Sequence, residues 1–105
     1  MERVSIGIVD SVTKSRFRDE FQKIRPNQFS YEGLEALYDW LEDYCYNEQI
    51  AIEFDPIAIS CDFTEYESFK QFQEDYDNII DFEDLEQHTT VIRIEGSDGF
   101  IIQAF

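Results

Sequence analysis

Acidic residues outnumber basic ones threefold in this chain: 24 Asp and Glu face 8 Lys and Arg, for a formal net charge of −16 at pH 7. Like charges at this density repel one another as a chain becomes compact, which lowers the stability of any fold. The sequence offsets this repulsion with ten Phe and six Tyr among its 105 residues, because large aromatic side chains let a short chain bury a large apolar area. We therefore expect a single folded domain over residues 1–105 rather than a disordered acidic tail.

The charge is unevenly distributed along the chain. Residues 1–25 carry six Lys and Arg against four acids, a net charge of +2, whereas residues 26–105 carry two against twenty, a net charge of −18. This contrast divides the domain into a basic N-terminal strand and helix segment, residues 1–27, and an acidic core, residues 28–105. The acidic core would repel the phosphates of nucleic acids and anionic membrane surfaces, so we expect neither as a direct partner. It would attract basic protein surfaces.

The basic segment is predicted to form a strand over residues 4–9 and a helix over residues 12–24, with Asp10 or Ser11 as the helix N-cap. Three apolar residues share one face of this helix: Phe17, Phe21 and Ile24.

The clearest element is a helix predicted over residues 31–46, with Ser30 as its N-cap. An apolar stripe runs along it: Leu34, Leu37, Tyr38, Leu41 and Cys45. Its opposite face is formed by carboxylates: Glu32, Glu35, Asp39, Glu42 and Asp43. Because no Lys or Arg lies in this segment, no i,i+4 ion pair within the helix can neutralise that face.

The rest of the acidic core is predicted to contain strands over residues 50–54 and 57–63, then a second acidic helix over residues 65–76. Thr64 would begin this helix, and Glu67 would complete its capping box. A short helix follows around residues 83–87. The chain ends in a hairpin whose strands, residues 91–95 and 100–105, flank a Gly-Ser-Asp-Gly turn. We therefore predict an α+β fold, in which a small antiparallel sheet with a C-terminal hairpin packs against two to three acidic helices.

The residues that usually carry catalysis or bind metals are scarce. His88 is the only histidine, and no nucleophile motif or phosphate-binding glycine loop is present. Cys45 and Cys61 lack the spacing of a metal site or a disulfide framework, so we expect free thiols in a reducing cytosol. The acids around Asp75 and Asp77 do not match a calcium loop, because Ile79 stands where a third oxygen ligand is needed. We therefore predict no enzyme activity, no metal and no cofactor, and a cytoplasmic location.

Carboxylates at i and i+4 on a helix are separated by about 6 Å along its axis, which is comparable with the spacing of phosphates along a nucleic-acid strand. Rows of acids on a rigid helix could therefore imitate nucleic acid for a protein that binds it through Lys and Arg. The first predicted row is Glu32, Glu35, Asp39 and Glu42, and Asp43 lies on the same acidic face as a further candidate partner-binding residue. The second is Glu67, Glu74, Asp75 and Asp77, extended by Asp81, Glu83, Asp84 and Glu86. Trp40, at the edge of the first row, either anchors this interface or packs at the edge of the core.

Four segments of the chain resemble a group of small acidic proteins, encoded by bacteriophages and prophages, whose function is largely unknown. These segments are residues 28–42, 55–67, 89–93 and 99–105, whereas residues 1–27 look less typical of the group. The resemblance implies a counter-defence protein of the anti-CRISPR or anti-restriction type, and it brings no catalytic residues. Its partner would be a host protein with a basic nucleic-acid-binding surface, such as a CRISPR effector or a restriction enzyme.

Two further roles remain open on the sequence. The chain could be a phage adaptor or regulatory module that binds through an exposed aromatic patch or the sheet edge, without imitating nucleic acid, and sensitivity to changes at Trp40 or Phe105 would favour this role. The basic residues Lys14, Arg16 and Arg18 could either tether the N-terminal helix to the acidic core or mediate self-association into a homodimer.

Overall fold

A computed structural model describes residues 5–7 and 13–105, with the backbone alone for residues 5–7 and 53. Within these residues the chain forms five helices and five short strands. Their order is β1 (Ser5–Gly7), α1 (Lys14–Ile24), α2 (Tyr31–Glu48), β2 (Ala51–Glu53), α3 (Pro56–Asp62), β3 (Phe63–Tyr66), α4 (Phe69–Asp75), α5 (Phe82–His88), β4 (Val91–Arg93) and β5 (Phe100–Gln103). No helix in this described part of the chain is long and apolar enough to cross a membrane.

The two N-terminal helices begin at side-chain caps. Thr13 caps α1 by accepting a hydrogen bond from the Arg16 N–H at 3.2 Å, so this helix begins two residues later than predicted. The predicted caps, Asp10 and Ser11, lie outside the described residues. Ser30 caps α2 as predicted, because its hydroxyl accepts from the Gly33 N–H at 2.9 Å. The predicted apolar stripe of α2 is confirmed, since each of its members is buried.

The segment predicted as a strand over residues 57–63 is mainly the helix α3. Asp55 accepts hydrogen bonds from the N–H groups of Ile57 and Ala58, at 3.1 and 3.3 Å. Pro56 occupies the first helical position, where its fixed φ suits a helix and its missing N–H is not needed. The alternating isoleucines favour a strand, but this cap and the proline start a helix instead.

The predicted second acidic helix is also wrong in its first half. Residues 63–66 form β3, which pairs with β5 through Phe63–Gln103 and Tyr66–Phe100. Helix α4 then begins at Phe69, after Ser68 accepts a hydrogen bond from the Gln71 N–H at 3.2 Å. Thr64 is therefore not its cap, and Glu67 takes part only through its backbone N–H, which donates to Gln71 Oε1 at 2.6 Å.

A three-stranded antiparallel sheet, in the order β3-β5-β4, forms the centre of the fold. The predicted C-terminal hairpin is confirmed as β4 and β5, and the predicted short helix as α5. One face of the sheet, with Phe63, Ile92 and Ile101, packs into a core shared with α1 and α2. The other face, with Tyr66, Phe100 and Ile102, packs against α4 and α5. A separate antiparallel pair, β1 and β2, matches Ile6 with Ile52. The predicted α+β class is confirmed.

Candidate protein-binding surface

The first predicted acidic row is partly neutralised by the basic helix α1. Lys14 Nζ lies 2.8 Å from Asp39 Oδ1, and Arg18 Nη1 lies 3.9 Å from Glu35 Oε1. The hydrogen bond from Lys14 to Asp39 raises the pKa of the lysine above its ordinary value of 10.5. The prediction of a face without cations is therefore wrong, because the partners of these acids come from another helix. Of the two roles left open for the basic residues, these ion pairs favour the tether between α1 and the acidic core for Lys14 and Arg18.

Glu42 belongs to the same row but is occupied within α2. The Tyr38 hydroxyl donates a hydrogen bond to its carboxylate at 2.7 Å. Burial of Tyr38, followed by this bond to Glu42, raises the pKa of the tyrosine to about 12. Glu42 therefore accepts a hydrogen bond within α2 while its side chain remains exposed.

Besides Glu42, the residues Glu32 and Asp43 of this acidic face pair with no Lys or Arg among the described residues. Glu32 lies in the first turn of α2, where the positive end of the helix dipole favours a carboxylate. It borders a groove of about 460 Å³ whose other walls include Ile94 and Glu95 of the hairpin. Asp43 lies in the exposed C-terminal half of α2.

Trp40 links the core to the surface beside Asp43. Its ring is partly buried and meets Phe63 edge-on, with 5.9 Å between centroids. The other contact is a parallel stack on Tyr44, with centroids 5.3 Å apart and planes inclined by 12°. Tyr44 is 40% exposed. Trp40 is thus a core-edge residue whose stacking continues into an exposed aromatic side chain.

The second predicted patch does not form a helical row. Glu67 lies between β3 and α4, Glu74 and Asp75 lie on α4, and Asp77 lies in the turn after it. Helix α4 has only seven residues, so it offers two turns at most. Asp75 is also occupied, because it accepts a hydrogen bond from the Tyr66 hydroxyl at 3.1 Å.

Most of the acids proposed to extend this patch stabilise α5 and its neighbours. Asp81 caps α5 by accepting from the Asp84 N–H at 2.9 Å. Asp84 accepts from the Ile80 N–H at 3.0 Å and lies 3.5 Å from Nε2 of His88. Glu86 lies 3.6 Å from Nη2 of Arg93. Glu83 is exposed and, among the described residues, neither caps α5 nor forms an ion pair.

Glu65 has a structural role that sequence reasoning missed. Its carboxylate lies at the start of α2 and accepts a hydrogen bond from the Ser30 N–H at 3.0 Å. Gly33 makes room for it, because a Cβ at residue 33 would overlap the Glu65 carboxylate. No alternation along residues 63–66 marks this strand, because both of its end residues, Phe63 and Tyr66, are buried on opposite faces of the sheet.

The candidate metal ligands among the described residues are dispersed. No group of three or more His, Cys, Asp or Glu side chains in residues 5–7 and 13–105 is placed to hold a metal ion. Both cysteines are free thiols; Cys45 is buried, which raises the pKa of its thiol, and Cys61 is exposed. Comparisons with protein-family models, with curated proteins and with solved structures found no match for this chain.

Proposed function

We propose that this chain is a phage counter-defence protein that binds a basic, nucleic-acid-binding surface of a host protein, such as a CRISPR effector or a restriction enzyme. The observation that supports it is an excess of exposed carboxylates that pair with no Lys or Arg among the described residues. Beyond Glu32 and Asp43, these include Glu48, Glu67, Glu74 and Asp77. The resemblance of residues 28–42 and three later segments to small acidic phage proteins supports the counter-defence role.

The ion pairs between α1 and α2 limit the ways in which this acidic surface could bind a partner. A row of phosphate-spaced carboxylates on α2 is interrupted, because Glu35 and Asp39 pair with α1. Binding would therefore depend on the summed negative field and on a few unpaired carboxylates, rather than on a copied phosphate spacing. A preformed field of this kind speeds encounter with a basic surface and competes with its nucleic acid.

The direct test measures DNA binding by a panel of purified CRISPR effectors and restriction enzymes, with and without the protein. We expect at least one member to lose DNA binding, and the inhibition to weaken from about 0.05 M to about 0.5 M salt because screening shortens the electrostatic range. The double variant D43K/E48K should inhibit less than the unmodified protein. The charge-matched control is E95K/D98K, which reverses two exposed acids at the hairpin turn.

The proposal is contradicted if no panel member loses DNA binding. It is also contradicted if inhibition is independent of salt, or if the hairpin control weakens inhibition as much as D43K/E48K does.

A non-mimic adaptor is the second candidate, and the C-terminal aromatic residue favours it. Phe105 is 52% exposed and stacks on Tyr76, with centroids 5.2 Å apart. An exposed aromatic ring held by a second ring is a suitable anchor for a protein interface. In this case binding would change little with salt, and Phe105→Ala would weaken it more than D43K/E48K.

A further inference from the structure

Aromatic and glutamate side chains one turn apart recur on the helices of this protein. Helical residues four positions apart lie next to each other on the helix surface. Four such pairs occur on α2 and α5: Tyr31–Glu35, Tyr38–Glu42, Tyr44–Glu48 and Phe82–Glu86.

Two of these pairs hold an arginine from another element. The guanidinium of Arg18 lies 4.6 Å from the Tyr31 ring centroid, and the same group lies 3.9 Å from Glu35. Arg93 repeats this arrangement on α5, at 4.0 Å from the Phe82 centroid and 3.6 Å from Glu86. In both cases the planar cation lies on the ring while its N–H groups face the carboxylate. We call such a pair an arginine cradle.

The Tyr38–Glu42 pair is a variant of the cradle. Lys14 Nζ lies 5.8 Å from the Tyr38 centroid, and the Tyr38 hydroxyl donates to Glu42. Three of the four pairs therefore have a cation over the ring.

The Tyr44–Glu48 pair has no cation over its ring among the described residues. Trp40 covers one face of the Tyr44 ring, as described above. Trp40 lies one turn before Tyr44 and Glu48 one turn after it, so these two residues lie on opposite sides of Tyr44 along the helix surface. Tyr44 is 40% exposed, and Glu48 is exposed as well.

The electrostatics of this helix end are unfavourable within the chain itself. The C-terminus of a helix carries a partial negative charge, and Glu48 adds a full negative charge to the last turn of α2, which contains no basic residue. Asp43, beside Tyr44, adds another negative charge. A cation supplied from outside would remove this repulsion.

We infer that the Tyr44–Glu48 pair is a cradle for an arginine of the basic partner, with Asp43 as an additional carboxylate. This inference rests on the proposed function and names the contact through which the partner is recognised. Arginine fits better than lysine, because its guanidinium is planar, weakly hydrated and able to stack while it donates to a carboxylate. The two cradles already filled in this fold both hold arginine.

The test uses two synthetic cationic peptides, hexa-arginine amide and hexa-lysine amide, at low salt. Trp40 is the only tryptophan and stacks on Tyr44, so its fluorescence reports directly on the cradle. We expect both peptides to bind, hexa-arginine about two- to fivefold more tightly, which is the contribution of one exposed cation–π contact. Hexa-arginine should also change the Trp40 emission more than hexa-lysine does.

Three variants separate the cradle from general charge attraction. Tyr44→Leu should abolish the preference for arginine while keeping the affinity for hexa-lysine, and Tyr44→Phe should keep the preference. Glu48→Gln should weaken hexa-arginine binding more than Glu74→Gln does, although both remove one exposed carboxylate. Circular dichroism checks that each variant keeps its helix content.

Equal affinity for the two peptides overturns the cradle, as does a preference for arginine that survives in Tyr44→Leu. A Trp40 emission that changes with protein concentration alone would mean that a second copy occupies the cradle, which also overturns the inference. None of these results bears on the proposed function, which fails separately if no nucleic-acid-binding protein of the panel is inhibited. Absence of any peptide binding at low salt contradicts both.

Discussion

At its first turn, helix α2 carries an acid where the helix dipole favours one, whereas at its last turn it carries an acid where the dipole disfavours one. The first turn contains Glu32, and its cap Ser30 is itself held by Glu65. The last turn contains Glu48 and no basic residue, and it ends at Gln49, whose φ of 55° lies in the left-handed region. Side chains support the first end of the helix, whereas the last end is closed by backbone hydrogen bonds from Gln49 and Ile50 and has no basic side chain in its last turn.

This difference separates two uses of negative charge in the protein. Carboxylates such as Glu65, Asp39 and Asp81 accept hydrogen bonds or pair with cations, and so they stabilise the fold. The carboxylates near the end of α2 gain nothing of this kind from the described residues, yet they lie beside exposed aromatic rings. A fold with a large aromatic core can tolerate the repulsion among these carboxylates, and a basic partner would relieve that repulsion.

The largest effect should come from the packing that holds α1 on the supported half of α2. Phe17 is fully buried and its ring lies 5.2 Å from Phe54 and 5.4 Å from Tyr38. We expect Phe17→Ala to lower the free energy of unfolding by about 3–5 kcal/mol, as measured by urea unfolding, because it leaves a cavity in the core.

The aromatic control at the other end is Tyr46, which is 72% exposed. Tyr46→Ala should change the unfolding free energy by no more than about 0.5 kcal/mol. If Phe17→Ala and Tyr46→Ala lower the unfolding free energy by similar amounts, the C-terminal end of α2 is packed as tightly as its N-terminal half. That result would contradict the contrast drawn between the two ends.

The next largest effect on the unfolding free energy should come from Gln49, the residue with a left-handed backbone that ends α2. A left-handed backbone costs an ordinary L-residue roughly 1 kcal/mol relative to glycine, so Gln49→Gly should raise the unfolding free energy by about that amount. Gln49→Asn should give a smaller gain in the same urea experiment, since asparagine tolerates this conformation better than glutamine does. A loss of stability in Gln49→Gly would show that the Gln49 side chain contributes more than its backbone strain costs.

Charge reversal at the two ends of α2 should have opposite effects. Glu48→Lys should stabilise the protein by about 0.3–1 kcal/mol through the helix dipole, and Glu32→Lys should destabilise it by a similar amount. Both variants change the net charge equally, so the relief of overall repulsion is common to them and their difference isolates the dipole. Thermal or urea unfolding measures this difference between the two variants, and the difference should become smaller in about 1 M salt. Equal effects at the two ends would contradict the electrostatic contrast.

The elements that sequence reasoning predicted correctly are those with strong local signals. Helix α2 has a Ser30 cap followed by a continuous apolar stripe, and the hairpin has two apolar runs around a glycine-containing turn. Such patterns specify their structure with little help from the rest of the chain.

The two wrong elements have different causes. The alternating isoleucines of α3 favour a strand, but a single capping residue, Asp55, followed by Pro56, determines the outcome. β3 is a strand because it pairs with β5, almost forty residues later in the chain, and no local pattern contains that information.

The candidate surface was only half predictable for a similar reason. The exposure of the acids on α2 follows from helical spacing, whereas their pairing with Lys14 and Arg18 depends on how α1 packs across the helix. The aromatic and glutamate pairs at i and i+4 are visible in the sequence. Which of them already holds an arginine is visible only in the fold.

The smallest expected effect concerns the ion pair between Lys14 and Asp39, whose side chains are 35% and 59% exposed. Asp39→Asn should cost only about 0.2–1 kcal/mol, because solvent screens exposed pairs. Since the folded protein raises the pKa of Lys14 above 10.5, the pair stabilises the fold fully below that pH and loses its contribution as the pH rises through the folded pKa. The difference in unfolding free energy between the unmodified protein and Asp39→Asn should therefore be constant from about pH 7 to about pH 9 and shrink above pH 10.5.

The control variant Asp43→Asn removes an acid with no cation beside it among the described residues and should not change the unfolding free energy. If it costs as much as Asp39→Asn, or if the Asp39 difference grows at high pH, the pairing that distinguishes the two halves of α2 does not stabilise the protein.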